Sequence, residues 1–329
     1  MKAALCTSLD GISAVHVTDV PEPDWAGGDI VVRVRCVGLN HSDVLRSQGR
    51  YQDKADLPFS PGGEIAGIVE RASALSGFHV GQRVMAYVGH GGARERIAVP
   101  PERLVAIPDA VADEVAAGVP ITYGTALHAF RDRTVIEPGE TIAILGAGGG
   151  AGLAAIEVGK LLGAHVLAVA SRDKHVACLD LGADAAIDRD TPDLKQVLRD
   201  LTKGHGGRSG EGPAVIYDCV GGALAEPAFR ALRNGGHYLV VGFASRTVPV
   251  LPLNIALVKA LTIVGINWPS AVVDRPDGHR ADMALALAAI AAGQLHPRVH
   301  GVWPLDRICE ALGVLDRGEA AGKVVVSVE

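Results

Sequence analysis

The segment that most constrains this 329-residue chain is Ile144-Leu145-Gly146-Ala147-Gly148-Gly149-Gly150-Ala151-Gly152. It follows Thr141 to Leu145, an apolar stretch of strand length. It precedes Ala154, Val158, Leu161 and Leu162, whose i, i+4, i+7 and i+8 spacing marks one apolar helix face. Gly163 supplies a helix stop, and His165 to Ala170 is a second apolar strand. Strand, glycine turn, helix and strand are therefore in place. Glycines let the backbone turn tightly and approach a pyrophosphate, while the N–H groups that open a helix attract its charge. The segment predicts a dinucleotide site with Gly148, Gly149, Gly150 and Ala151 as contacts, and several registers of the glycines fit equally well.

The end of the second strand separates the two nicotinamide dinucleotides, because an acid there holds ribose hydroxyls whereas basic residues accept the extra phosphate. Here it runs out as Ala170-Ser171-Arg172-Asp173-Lys174. Ser171, Arg172 and Lys174 favour NADPH. The alternative leaves both cations solvated and sets Asp173 on the ribose.

The surrounding sequence falls into two rhythms. Ile30 to Val37, Glu64 to Glu70, Arg83 to Val88 and Arg94 to Val99 are short, β-branched and separated by Gly or Pro, as in an irregular β-rich domain. Beyond Val111, apolar strands alternate with helical patterns: Thr141 to Leu145, His165 to Ala170, Ala185 to Ile187, Ala214 to Asp218, His237 to Val241 and Leu261 to Ile266. Strands that are apolar on both faces belong to a doubly wound parallel sheet, so the fold class is α/β. A helix over Arg280 to Ala292, a turn at His296-Pro297 and a last strand over Lys323 to Val328 complete the pattern.

Composition excludes several function classes. With 48% hydrophobic and 21% charged residues the chain is globular. A net charge of -6, with scattered Lys and Arg, argues against nucleic acid and anionic membranes as partners. No uncharged apolar run reaches the ~18 residues of a membrane span, and the start carries no signal-peptide core. Five cysteines, far apart and in no Cys-x-x-Cys pair, read as reduced thiols of a cytoplasmic protein.

Several segments in order carry a specific resemblance. They are Gly38-Leu39-Asn40-His41-Ser42-Asp43, Gly49-Arg50-Tyr51-Gln52, Leu57-Pro58-Phe59-Ser60-Pro61-Gly62-Gly63-Glu64-Ile65-Ala66-Gly67 and Val80-Gly81-Gln82-Arg83-Val84. Further on come Ile121-Thr122-Tyr123-Gly124-Thr125-Ala126, the glycine run, Leu181-Gly182-Ala183-Asp184, Tyr217-Asp218-Cys219-Val220-Gly221-Gly222 and Gly322-Lys323-Val324-Val325. In this order the chain resembles the medium-chain dehydrogenase/reductase superfamily, within it the zinc-independent NADPH:quinone oxidoreductase-like branch, over essentially its whole length. The resemblance implies a GroES-like catalytic domain over 1–112, a Rossmann domain over 113–267 and a C-terminal segment, 268–329, that returns to the catalytic domain, with the active cleft between domains. It places Asn40 and Asp43 at the cleft floor, Tyr51 near its mouth and Thr122 beside the nicotinamide, and adds Gly242, Phe243 and Lys323 to the cofactor set.

Zinc-dependent members of the superfamily have a cysteine where this chain has Asn40 and a histidine where it has Gly63, so no metal is expected. Glu64 then reads as a structural glutamate and His41 as an ordinary polar residue. Reduction without zinc relies on setting the nicotinamide against an electron-poor carbon, which suits a quinone or an α,β-unsaturated carbonyl compound. Asn40 is expected to donate to the substrate carbonyl and Asp43 to brace the loop, while Tyr51 and Tyr123 are candidate proton donors. Where the branch often has a tyrosine this chain has Leu45, which makes the pocket more apolar. The alternatives are an enoyl-thioester reductase and a non-catalytic NADPH-binding structural or regulatory protein. The last strand of the parallel series, Leu261 to Ile266, is expected at a sheet edge with Lys259 as its one nearby charge, and a homodimer is expected through it.

Overall fold

The computed structural model describes residues 1–25, 28–203 and 211–328. It divides into two compact units, Met1–Gly124 with Pro269–Glu329, and Thr125–Trp268. The segment 113–124 groups with the first unit.

In the first unit β1 (Lys2–Cys6) pairs antiparallel with β2 (Val15–Asp19). The main sheet holds β3 (Ile30–Leu39), β4 (Glu64–Arg71), β5 (Arg83–Tyr87), β6 (Arg96–Val99), β7 (Leu104–Ala106), β14 (Val299–Pro304) and β15 (Lys323–Ser327). Its order is β14-β15-β3-β4-β5-β7, with β6 also pairing β3. The centre is β3, whose valine-rich sequence is buried along most of its length, with Arg33 and Arg35 half-buried. Its Ile30, Val32 and Leu39 meet Ile65, Leu104 and Leu312 in one apolar cluster. Each such side chain contributes about 1.5–3 kcal/mol by leaving water.

Register sets the position of the polar residues. Gly38 of β3 stands opposite Glu64, the first residue of β4, and Leu39 stands opposite Val324 of β15. The first residue of β15, Lys323, is thereby brought beside Leu39 and the turn that follows it. That turn is Asn40, which caps the helix His41–Ser47.

The second unit carries β8 (Thr141–Leu145), β9 (His165–Ala170), β10 (Ala185–Asp188), β11 (Val215–Asp218), β12 (His237–Val240) and β13 (Thr262–Gly265). All neighbours run parallel in the order β10-β9-β8-β11-β12-β13. The strand order reverses between β8 and β11, and crevices at such switch points hold ligands in doubly wound sheets. The glycine run leaves the carboxyl end of β8 at that point, and β13 lies at an edge, as its place in the sequence predicts.

Three readings of the sequence need adjustment. The helix after β8 spans Gly150–Leu161 and buries every residue from Gly152 to Val158, whereas Leu161 of the expected apolar face is 39% exposed in the last turn. The late helix begins at Pro276, because proline is well placed in a first turn, and runs to Ala291. The turn at His296-Pro297 leads into β14, a strand whose alternating half-exposure and Gly301 gave no apolar signal. Among the described residues no helix is long and apolar enough to cross a membrane.

Candidate active site

Three polar side chains of the first unit interlock at the end of β3. Lys323, only 5% exposed, donates from Nζ to Leu39 O at 3.0 Å, Asn40 Oδ1 at 2.8 Å and Glu64 Oε1 at 2.5 Å. Asn40 Nδ2 donates to Glu64 Oε1 at 2.9 Å, and the N–H of Ile121 donates to Glu64 Oε2 at 2.7 Å. Glu64 is fully buried, and these donors satisfy its carboxylate oxygens. Glycines make the room: a Cβ on Gly118 would meet Lys323 Cγ at 2.7 Å, and one on Gly38 would meet Glu64 Cγ at 2.8 Å and Ala117 O at 2.2 Å. The resemblance assigns Lys323 to the cofactor, but all three of its N–H groups already have acceptors here. A cofactor contact would have to displace one.

Asp43 closes a capping box with Asn40. Its Oδ2 accepts the Asn40 N–H at 2.8 Å, and its Oδ1 accepts the Gly62 N–H at 2.9 Å. Burial pushes its carboxyl up, while these N–H groups and the cations of Arg46 and Lys323 pull it down. The geometry is that of a brace tying the helix start to the Gly62 loop. Three residues on, Arg46 is buried to 4%, with Nη1 3.8 Å from Asp43 and Nη2 3.6 Å from Asp53. Its guanidinium lies 4.7 Å from the centroid of the Tyr51 ring, close enough for a cation–π contact. Burial raises the Tyr51 phenol, and Arg46 opposes the rise. Tyr87 at the end of β5 is pushed up by burial to about 12 and feels Tyr51 and Arg46 electrostatically. Nothing in the sequence singles out Arg46 or Tyr87, since an Arg in a short polar helix reads as solvated. Thr122 is buried and donates to Gly118 O at 2.6 Å, leaving its oxygen lone pairs for a further partner. Tyr123 is buried in the core.

In the second unit Gly146 turns the chain with φ of 77°, and Gly149 caps the helix that opens at Gly150. The N–H groups of Gly150 and Ala151 precede the first intrahelical bond, Leu153 N–H to Gly149 O at 2.8 Å, so they face outward from the helix start. Gly152 packs the helix onto the loop: a Cβ there would lie 2.3 Å from Gly146 O. Gly148 lies under the stem of Lys174, where a Cβ would meet Lys174 Cβ at 2.6 Å. The basic turn after β9 is thereby joined to the glycine loop. Within that turn Arg172 ion-pairs with Asp188 while remaining 83% exposed, and Asp173 is held low by the Ser171 hydroxyl. Burial lowers the Lys174 ammonium.

Asp218, at the end of β11, organises the neighbouring loops. It accepts the N–H groups of Val220 at 2.8 Å and Gly221 at 2.9 Å, and also the Tyr238 hydroxyl. Burial first, then the Asp218 charge, push the Tyr238 phenol up. Gly242 donates to Asp218 O at 3.1 Å, and the ring of Phe243 lies 2.9 Å from where a Gly221 Cβ would stand. Gly242 and Phe243 therefore pack against the loop beside the glycine run.

A sheet with this strand order and a glycine turn at its switch point, joined in one chain to this β-rich unit, is the architecture of a nucleotide-dependent dehydrogenase. The alcohol dehydrogenase GroES-like domain family matches residues 26–109, and the zinc-binding dehydrogenase family matches residues 150–291. The quinone oxidoreductase-like protein 2 homolog of Nematostella vectensis is 32% identical over 99% of this chain and 88% of its own. A probable oxidoreductase from Mycobacterium abscessus superposes with a TM-score of 0.89 at 32% identity, covering 99% of this chain and 98% of the other. The quinone oxidoreductase of Thermus thermophilus, whose complex with NADPH is also solved, superposes with a TM-score of 0.86 at 29% identity over all of both chains. The chain belongs to the medium-chain dehydrogenase/reductase superfamily, in its quinone oxidoreductase-like branch.

The zinc in the matched family's description does not fit these residues. The oxygens of Asn40 and Glu64 that face a common centre already hold the Lys323 ammonium, which would repel a divalent cation. Among the described residues no group of three His, Cys, Asp or Glu side chains is placed to hold a metal.

Proposed function

We propose that this protein is an NADPH-dependent, zinc-independent reductase that delivers hydride to a quinone or an α,β-unsaturated carbonyl compound. The observation that carries the reading is the junction of the glycine loop with the basic turn, where Lys174 lies over Gly148. Outward N–H groups of Gly150 and Ala151 suit a pyrophosphate, and Ser171, Arg172 and Lys174 beside them suit a ribose phosphate. When bound, NADPH supplies the hydride. Asn40 presents an N–H to the carbonyl oxygen of the substrate, Asp43 keeps the loop in place, Tyr51 lines the entrance, and Thr122 contacts the nicotinamide. Gly242 and Phe243 border the cofactor. Purified protein is to be assayed with NADPH and NADH against a quinone, an enone, an enoyl thioester and an alcohol. Turnover of quinone or enone with NADPH is expected. Turnover of the thioester alone would assign enoyl-thioester reduction instead, and turnover of none would leave an NADPH-binding protein without catalysis.

The same reading includes a cytoplasmic homodimer joined through β13. Its support is the position of β13 at the edge, where Thr262 and Ile263 are exposed, and the exposed Val250, Leu253, Leu257 and Val258 just before it. Lys259, the one nearby charge, turns inward and donates to Arg230 O at 2.9 Å and Leu232 O at 2.6 Å, so it does not guard the strand.

A further inference from the structure

We propose that Lys323 is a positioning residue for reduction: its ammonium fixes the orientation of the Asn40 amide and balances Glu64, so that Asn40 offers one N–H to the substrate oxygen. This rests on the reading of Asn40 as the substrate's hydrogen-bond donor. An amide has two orientations related by a flip, and the charges on either side of Asn40 select one. With Oδ1 on the ammonium at 2.8 Å and Nδ2 on the carboxylate at 2.9 Å, both contacts are donor to acceptor. The flipped amide would set NH2 against an ammonium and oxygen against a carboxylate, and both contacts would be repulsive.

The donor count leaves one group over. Lys323 spends its three N–H groups on Leu39 O, Asn40 Oδ1 and Glu64 Oε1. Nδ2 of Asn40 carries two hydrogens and gives one to Glu64. The second is unspent among the described residues. Asn40 is also the member of the trio that is not fully buried, since Lys323 is 5% and Glu64 0% exposed. The room that Gly118 and Gly38 leave for Lys323 and Glu64 shows that the backbone is built around this pair.

The chemistry needs such a donor. A hydride from the reduced nicotinamide forms a C–H bond at the β-carbon of an enone and brings both electrons. The C=C pair shifts, a new double bond forms between the α-carbon and the carbonyl carbon, and the carbonyl oxygen takes the negative charge. One proton from solvent then bonds to the α-carbon as the oxygen's electron pair re-forms the carbonyl, so that one hydride and one proton account for the two hydrogens added across C=C. The dinucleotide leaves oxidised. A donor aimed at the oxygen acts most when that charge develops. The Lys323 charge on the far side of the amide polarises the N–H toward it.

The test is a double-mutant cycle on kcat with NADPH and 2-cyclohexenone or 1,4-benzoquinone, with NADPH Kd measured by fluorescence titration. Asn40→Ala and Lys323→Met are each expected to lower kcat about 10²-fold, the scale of one oxyanion donor. Asn40→Ala with Lys323→Met is expected to be no slower than Asn40→Ala alone, because Lys323 acts through Asn40. NADPH Kd should stay within about twofold of the parent. Independent losses that multiply, or a raised NADPH Kd with unchanged kcat in Lys323→Met, would overturn the proposal while leaving Asn40 in its role. An unchanged kcat in Asn40→Ala would overturn both. Should Lys323→Met fail to fold with Glu64 left unpaired, the same cycle in a Glu64→Gln background gives the same comparison.

Discussion

Gly152→Ala tests whether the glycine loop is built by close packing rather than by flexibility. The added methyl would stand 2.3 Å from Gly146 O and 2.5 Å from Ala147 Cα, both backbone atoms that no rotamer can move. Restoring ordinary contact requires the helix start to retreat by about 1 Å, an overpacking strain of about 3 kcal/mol. Alanine returns about 1 kcal/mol through its helix propensity, so a net loss near 2 kcal/mol is expected. The same retreat withdraws the Gly150 and Ala151 N–H groups from a bound pyrophosphate, and about 1 Å of misplacement is enough to cost function heavily. Urea unfolding reads the stability, and NADPH titration reads the site. Gly149→Ala is the control, because its Cβ would lie 3.6 Å from its nearest neighbour, Gly146 O, and the residue already has an extended backbone. A Gly152→Ala protein that matches the parent in both measurements, or a Gly149→Ala protein that unfolds as easily, would refute close packing as the basis of the loop.

Four further outcomes are expected. Arg172→Ala should weaken NADPH about tenfold and leave NADH nearly unchanged, because an exposed guanidinium shared with Asp188 contributes about one charge-assisted contact; tighter NADH than NADPH binding in the parent protein would contradict the cofactor assignment. Burial lowers the His279 imidazole to about 4, so below its unfolded value near 6.5 the unfolded chain takes up a proton that the folded one refuses. Stability should therefore fall as pH drops from 6.5 toward 4, by about 3 kcal/mol in all, and His279→Leu should flatten that slope in urea midpoints measured against pH. Activity should survive a strong chelator, and stoichiometric zinc lost together with activity would refute the reading of Asn40 and Gly63. Light scattering at micromolar concentration should find a dimer, and Ile263→Pro should shift it toward monomer by removing a backbone donor from the edge.

The parallel sheet was legible because strands buried on both faces read as apolar runs, and β8, β9 and β12 begin where those runs begin. The glycine motif was legible for the same local reason, whereas the packing of Gly152 onto Gly146 O is a tertiary contact that a run of glycines does not reveal. The polar centre was much less so. Nothing local to Lys323 tells that its ammonium reaches Asn40, 283 positions away in the chain, because that contact is set by the register of β15 on β3. Arg46 was hidden differently: its neighbours in sequence, Leu45 and Ser47, do not reveal that Tyr51 folds back beneath its guanidinium. β14 is not legible locally, because a strand with a half-exposed face, an exposed face and a glycine shows neither an apolar run nor apolar–polar alternation.

The first unit is discontinuous, and its main sheet has β15 inserted between β14 and β3. During synthesis, Thr125–Trp268 is a continuous stretch able to fold as it leaves the ribosome, whereas β3 waits with part of one side unpaired. Glu64 waits too, for an ammonium made 259 residues later. At about 5–20 residues per second this interval is on the order of tens of seconds, during which an apolar strand edge and an unmatched carboxylate sit together. Premature termination anywhere between Trp268 and β15 would release a chain whose second unit is folded and whose β3 edge is open, the form most exposed to aggregation and proteolysis.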